Sequence, residues 1–402
     1  MIDHSDVVDV TIERFVAGGA ALGRRDDGRI VLVDGALPDE RAAVAVTERG
    51  GTLHGTVVRI AEPAPSRIEP HCRHVAEGCG GCDLAHMEHA AQLPAKVEVA
   101  RDAMIRLGRW TDPSIEAGPS LPPWSFRTAL RAAVVDGRAA LRSRSSHDAV
   151  PVPDCAIVHP LLAELLAEGD FGSATEVDLR IGAATGERMA VVSPNRTGVV
   201  VPDDVLVVGA DELRAGRRAW IHEEVAGRRW RISAGSFFQT RPDGAAVLVD
   251  VVSAMVGDVL AADDGVLVDA YCGVGLFAGC LLHGRTGWRA VAVERGHSSV
   301  ADARINLADL DVKVVRSGLE RFRAPVARVV VADPSRRGLG ARAVEVLATT
   351  GADRFVLVSC DAAAAGRDVA LLRRAGYRPL RSVVVDLFPH THHLEIVTAL
   401  GR

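Results

Sequence analysis

The chain has 402 residues, 48% of them hydrophobic and 25% charged, with a formal net charge of −5. At roughly 150 residues per domain that length holds two to three domains with cores of their own, and the composition is far from the polar, highly charged range of disordered chains. The small negative charge excludes nucleic-acid binding through the global field, leaving only a local patch to do that work.

The first six residues, Met-Ile-Asp-His-Ser-Asp, carry acids where a secretory signal carries basic residues, and no apolar segment follows. The most apolar stretch, Ala245 to Ala270, is interrupted by Asp250, Asp258, Asp263 and Asp264, which argues against a membrane span. A soluble, cytosolic protein is predicted. In that compartment the seven cysteines, at 72, 79, 82, 155, 272, 280 and 360, point to metal binding or catalysis rather than disulfides.

Short β-branched runs at Val7–Ile12, Arg29–Val33, Ala42–Val46 and Thr52–Ile60, separated by Gly19, Gly35 and Gly50-Gly51, predict a small β-barrel over 1–61. The three prolines of Glu62–Pro70 then break all periodicity and mark a linker. A helix follows at about 92–110, with Val97, Ala100, Met104 and Leu107 on one side, placed to pack on the last domain. From Phe126 to about Arg231 alternating runs predict a second β-rich region, so residues 62–234 form a central domain. Beyond Gly235 apolar strands alternate with helical segments: Val266–Ala270, Ala290–Glu294, Val312–Val315, Val329–Asp333, Phe355–Cys360, Val383–Leu387 and Leu394–Leu400. This is the rhythm of an α/β, doubly wound sheet over 235–402.

Asp269-Ala-Tyr-Cys-Gly-Val-Gly-Leu-Phe-Ala278 follows a strand and opens a helix, with Gly273, Gly275 and Ala278 at nucleotide-binding spacing. Glu294 ends the next strand, where a carboxylate can accept both hydroxyls of a ribose. This combination predicts a site for an adenosine ligand, with a nicotinamide cofactor and S-adenosylmethionine both open. Tyr271, Glu294, Asp333 and Cys360 all stand where apolar strands stop, at the edge where open α/β sheets bind ligands. Glu395 sits one step into the last apolar strand; if that strand is antiparallel, its carboxylate comes toward Cys360. A thiol and a carboxylate on one cavity suit nucleophilic addition followed by proton abstraction.

Cys72-x6-Cys79-x2-Cys82, with Gly78, Gly80 and Gly81 tightening the loop, can wrap an ion or cluster, and Cys155 can supply the fourth thiolate. Zinc and an iron–sulfur cluster fit the count equally, although x6 is unusual for a zinc ribbon. From Trp124 to His147 five arginines, 127, 131, 138, 142 and 144, face one acid, Asp136, which is read as phosphate contacts or, equally, a solvated face.

Together these residues resemble the S-adenosylmethionine-dependent RNA uracil-5-methyltransferases, over nearly the whole chain. The resemblance implies that residues 1–61 are an OB-like TRAM domain binding RNA, and that Cys72, Cys79, Cys82 and Cys155 hold a [4Fe-4S] cluster. Arg142-x-Arg-Ser-Ser-His147 is similar to the basic segment ahead of the family's fourth cysteine. The resemblance further implies a Rossmann-like catalytic domain in which Gln239, Tyr271, Gly273, Gly275, Glu294 and Asp333 line the methyl-donor site. Cys360 would be the nucleophile, Glu395 the base, and Arg336 would face the uracil carbonyl, in a monomer acting on ribosomal RNA, 23S before transfer RNA. Leu276 departs from the family's usual asparagine, Ser335 from its second proline, and Ala362 from its proline. Two rival readings are an RNA-binding iron–sulfur protein with a degenerate methyltransferase domain, and a nicotinamide-dependent oxidoreductase. The first is disfavoured by the presence of both Cys360 and Glu395; the second leaves those residues and the four cysteines unexplained.

Overall fold

The computed structural model describes residues 7–144 and 148–402; the N-terminal acids and Ser145-Ser146-His147 lie outside the described residues. Strands β1 (Val7–Phe15), β2 (Ala21–Arg24), β3 (Ile30–Asp34), β4 (Arg41–Arg49) and β5 (Thr52–Glu62) close a barrel in the order β1-β2-β3-β5-β4. Alternation places Val10, Ile12, Val31, Val33 and Val44 inside. The proline-rich stretch after β5 is held rather than loose. Buried Glu40 accepts from the amides of Leu37 and Ala64 at 2.8 and 3.2 Å and pairs with Arg67, so a carboxylate that burial alone would neutralise stays charged.

Chain order is not layer order beyond this point. Helix α1 (His89–Arg106) presents Leu84, Met87, Ala91 and Val99 of its own and preceding turns to the barrel, while Val97, Ala100, Ala103 and Met104 enter a different core. The three-residue strand β6 (Ile115–Ala117) then joins the C-terminal sheet. Among the described residues a six-stranded sheet follows, built from β7 (Ala129–Val135), β8 (Arg138–Arg142), β9 (Ala149–Pro151), β10 (Glu176–Ile181), β11 (Arg188–Ser193) and β12 (Val205–Gly209). Helix α2 (Pro160–Glu168) covers one face of it through Leu162, Leu165 and Leu166, and the short helix α3 (Ala210–Arg214) ends it. A hairpin, β13 (Trp220–Val225) and β14 (Arg228–Ser233), buries Trp230 against the last layer.

That layer is an eight-stranded sheet, again among the described residues. Its remaining strands are β15 (Gly265–Ala270), β16 (Trp288–Glu294), β17 (Val312–Arg316), β18 (Val329–Ala332), β19 (Arg354–Ser359), β20 (Arg378–Val385) and β21 (Glu395–Gly401), in the order β17-β16-β15-β18-β19-β21-β20-β6. Helices cover both faces. Leu267, Val329, Val331, Val356 and Val358 pack beneath α4 (Pro242–Val256) and α5 (Leu276–Leu282). Their sequence neighbours Val268, Val330, Ala332, Phe355 and Leu357 pack with α1, α7 (Gly340–Ala348) and α8 (Ala362–Arg374). Strands buried on both faces read as unbroken apolar runs, which is why the sequence pattern locates them. Helix α6 (His297–Asn306) flanks the β17 edge beside β14.

The aspartates expected to rule out a span do not do so by themselves. Pro242–Ala261 is long and apolar enough to cross a membrane by length and composition. Its apolar face lies in the core through Leu248, Val252, Met255 and Leu260.

Candidate active site

The glycine loop leaves β15 with three left-handed residues, Tyr271 at φ 63°, Gly273 at 55° and Gly275 at 98°. The two glycines do different work. A Cβ on Gly273 would meet nothing within 4 Å, so its bareness keeps a cradle open, whereas one on Gly275 would strike Leu307 at 2.7 Å. Glu294, ending β16, accepts from the Gly273 amide at 3.2 Å and the Gly296 amide at 2.5 Å, which fixes its carboxylate at the rim of that cradle. Behind the loop Asp269 accepts from Ala278 N at 2.9 Å, and its other oxygen is buried without a partner. Burial pushes the Asp269 carboxyl up to about 7. Burial and then the charge of Asp269 do the same for Asp333, which follows the adjacent strand β18.

Beyond Asp333 the chain turns through Arg336 and is caught by Asp368 of α8, whose carboxylate accepts from the amides of Leu339 and Gly340 at 2.6 and 3.1 Å. Exposed Arg336 reaches 3.4 Å from His393 Nε2. Cys360 follows β19, and Asp361 beside it caps α8 by accepting from Ala364 N at 2.7 Å. Strand β21 runs antiparallel to β19 with Ser359 opposite Ile396, so Glu395 lies alongside Cys360. Burial and the neighbouring carboxylates Glu395 and Asp333 push the Cys360 thiol up to about 12, against which Arg336 acts in the opposite sense. Buried Glu395 is raised well above the carboxylate range by desolvation and by Asp333.

Cys360 and Arg336 open into a cleft of about 580 Å3, measured out to its mouth. Its opposite wall is not catalytic-sheet structure at all. It comes from the β1–β2 turn of the barrel, Phe15 to Gly19, and from Lys96 and Val99 of α1. Gln239, Tyr271, Gly273, Gly275, Glu294 and Asp333 do not line this cleft, and the Asp333–Arg336 turn runs between them and Cys360. Gln239 is buried on the segment ahead of α4, which Ser236 ties to Asp302 at 2.6 Å; among the described residues no hydrogen bond joins Gln239 to the other five.

Several positioning contacts gave no signal in the sequence because their partners are hundreds of residues apart. Asp83 accepts from the backbone amide of His392 at 2.9 Å and is bonded to its ring at 2.5 Å. Gln92 Oε1 accepts from His390 N at 2.7 Å, and Lys96 donates to Asp386 at 2.6 Å in a buried pair.

The four cysteines come together. Cys72, Cys79, Cys82 and Cys155 are half-buried thiols, and each lies within electrostatic reach of the other three. Burial and that mutual repulsion push Cys82 up to about 12 and raise Cys79 and Cys155. The loop is clamped by His74, bonded to Glu77 and Asp154 at 2.5 Å each, and by Gly80 N donating to Arg142 O at 3.1 Å. Among the described residues no three side chains close on a single metal ion.

Arg131, Arg138, Arg142 and Arg144 of the arginine stretch have partners within the protein while their side chains stay exposed. Arg131 and Arg142 pair with Glu176, Arg144 with Asp34, and Arg138 donates to the carbonyls of Ala167 and Gly169. Arg127 is desolvated beside Cys82 and Cys155, and His147 lies outside the described residues.

Residues 4–58 match the TRAM domain. The chain is 34% identical to an uncharacterized RNA methyltransferase of Streptomyces avermitilis over 98% of this chain and 97% of that one. It is 31% identical to the 23S rRNA (uracil(1939)-C(5))-methyltransferase RlmD of Methylococcus capsulatus, over 97% and 96%. The chain belongs to the S-adenosylmethionine-dependent RNA uracil-5-methyltransferase family. The fold agrees: the Pyrococcus abyssi tRNA (uracil-54, C5)-methyltransferase, solved with S-adenosyl-L-homocysteine, superposes with a TM-score of 0.72 at 22% identity, covering 97% of this chain and 99% of that one. As an enzyme of this family the chain is an RNA methyltransferase, and the rival nicotinamide-dependent reading falls away.

Proposed function

We propose that the enzyme forms 5-methyluridine in ribosomal RNA through a covalent bond between Cys360 and C6 of the target uracil. The observation that carries this reading is the register that sets Glu395 against Cys360, with Arg336 facing both across the turn. Ribosomal RNA, 23S in particular, is favoured over transfer RNA by the relative of matching length and closer sequence from Methylococcus capsulatus.

Uracil C5 is a weak nucleophile. Cys360 gives up its thiol proton to the solvent of the cleft it lines, its sulfur adds an electron pair to C6, and the C5–C6 double-bond pair moves toward C5 and the ring carbonyl. Arg336, the neighbouring cation that opposes the upward push on the thiol, donates to that developing oxyanion. Glu294, Asp333, Tyr271, Gln239 and the Gly273–Gly275 loop would hold the donor; the C5 pair would take its sulfonium methyl while the pair of the broken S–CH3 bond stays on the donor sulfur, which would leave as the neutral thioether. Once C5 carries the methyl, Glu395 in its ionised form, which Arg336 favours against the desolvation, takes the C5 proton, the pair left behind restores the double bond, and the Cys360 sulfur departs with its own. The stacked target must leave its duplex or loop to reach a thiol at this depth.

Cys72, Cys79, Cys82 and Cys155 fit a [4Fe-4S] cluster. Four half-buried thiols, each within electrostatic reach of the other three, match the count of thiolates that hold such a cluster. Its chemistry here would be to offset the thiolate repulsion and bind the 72–82 loop to Cys155.

Incubating variants with RNA and S-adenosylmethionine, then running denaturing gels, tests the central claim. Glu395→Gln should accumulate a protein–RNA adduct and lose turnover by on the order of 10²-fold or more, as expected for a removed general base. Cys360→Ala should trap nothing. An adduct with Cys360→Ala, or full turnover with Glu395→Gln, overturns the assignment.

A further inference from the structure

A second concave surface lies beside the glycine loop, on the far side of Glu294, whose partner across β16 and β17 is Arg316. Between α6, β14 and the end of β17 an open cleft is lined by Arg218, Arg231, His297, Arg304 and Arg316, and no acidic residue is on its wall. Arg218, Arg304 and Arg316 are exposed and, among the described residues, form no ion pair. That distinguishes them from the 127–144 arginines, whose partners are in the protein. Arg231 is fixed in place: it lies 3.1 Å from buried Asp302 and stacks 4.0 Å over the half-exposed ring of Trp220.

Clustered cations in a concavity raise one another's potential and focus it outward. In a chain of net charge −5 such a cluster stays favourable when an anion occupies it. The donor carries no phosphate, so the polyanion at hand is the RNA. Arg316 and His297 stand at the carboxyl ends of the strand pair β16 and β17, the edge that also bears Cys360. Four strand spacings separate β17 from β19, about 19 Å at about 4.8 Å each, a span of a few nucleotides.

We propose that this cleft binds the phosphates of single-stranded RNA flanking the target uridine, with Trp220 and its stacked Arg231 as a platform for a base. The proposal rests on RNA being the substrate. It gives the enzyme a grip on the strand that is independent of the barrel and indifferent to sequence.

The test is the salt dependence of binding to a fluorescein-labelled single-stranded oligouridylate. Each phosphate contact to a single strand contributes about 0.7 to the slope of log affinity against log salt. The triple variant R218A/R304A/R316A should therefore lose about 2 from that slope and bind on the order of 10²-fold more weakly near 0.1 M salt, with donor affinity unchanged. The matching triple lysine variant, which keeps the charge, should restore the slope. Wild-type slope and affinity in the alanine variant overturn the proposal, and so does a parallel loss of donor affinity, which would place the cleft in the donor site. If the wild-type enzyme shows the arginine-dependent slope but transfers no methyl to RNA, the methyltransferase reading fails and the cleft stands.

Discussion

Two buried carboxyls at the ends of adjacent strands make donor binding a proton-linked event. Asp269 and Asp333 are each pushed up to about 7, by burial first, and in Asp333 then by Asp269. Glu294 adds repulsion at Asp269, and Asp333 in turn raises Glu395, while Arg336 is the cation that eases Glu395. S-adenosylmethionine brings positive charge into this pocket. A nearby cation favours the ionised carboxylate, so binding lowers the carboxyl's pKa and expels a proton. Affinity must then rise with pH while the free enzyme still holds that proton, and level off above about 7. For one carboxyl with a pKa of about 7, the ionised fraction rises about eightfold between pH 6 and pH 7.5, equivalent to about 1.2 kcal/mol of binding energy. Isothermal titration over this range, in two buffers of different ionisation enthalpy, gives both the affinity and the protons released. S-adenosylhomocysteine, which lacks the sulfonium charge, should show a shallower rise, and Asp333→Asn should remove that residue's share. A flat profile, or affinity falling as pH rises, would refute the placement of the donor's charge against these carboxyls.

The turn that carries Arg336 and the wall of the cleft should be sensitive to their supports. Asp368→Ala leaves the amides of Leu339 and Gly340 without their acceptor, a loss of about 1–3 kcal/mol; turnover should fall with donor affinity unchanged, and a lowered melting temperature with wild-type turnover would count against a role in holding Arg336. Gly19→Ala would put a Cβ 2.6 Å from the His392 ring, whereas one on Gly18, also left-handed, meets nothing within 4 Å. Methyl transfer should therefore drop in the Gly19 variant and hold in the Gly18 variant; equal losses would mean that backbone strain alone is at work. Anaerobically purified protein should be brown, and Cys155→Ser should lose iron as completely as Cys79→Ser, with Cys280→Ser unaffected; colourless protein carrying stoichiometric zinc would exclude the cluster.

How much could be read beforehand follows from where each signal lies. The catalytic strands were legible because burial on both faces leaves a continuous apolar run, as in Val329–Ala332 and Arg354–Ser359. The antiparallel return of the last strand turned on a carboxylate, Glu395, that its apolar setting disfavours. Strand β6 was invisible, since three residues, Ile115–Ala117, carry no period, and β2 was too short between its flanking turns. Charge counting at the arginine stretch sees the five cations but not Glu176, 45 residues from Arg131, nor Asp34, 110 residues from Arg144. The unpaired arginines at 218, 304 and 316 went unnoticed for the complementary reason: they are scattered in sequence and meet only when α6 packs beside β14.

One stretch of chain, residues 82 to 99, explains how a barrel at one end of the sequence can matter to chemistry at the other. Its first residue is the cysteine that closes the thiol cluster. The next, Asp83, holds His392, and Leu84 N donates to His390 O at 2.8 Å. Gln92 and Lys96 secure His390 and Asp386, and Leu84, Met87, Ala91 and Val99 fill the floor of the barrel. The loop before Glu395 is therefore pinned at four points by a segment whose other face is barrel core. Because that segment cannot shift without unpairing buried polar groups such as Lys96 and Asp386, displacement of the barrel or collapse of the cysteine loop must reach the 386–394 turn. The barrel's place in the enzyme is thus twofold: it walls the cleft over Cys360, and through residues 82 to 99 it helps to set the strand that carries the base.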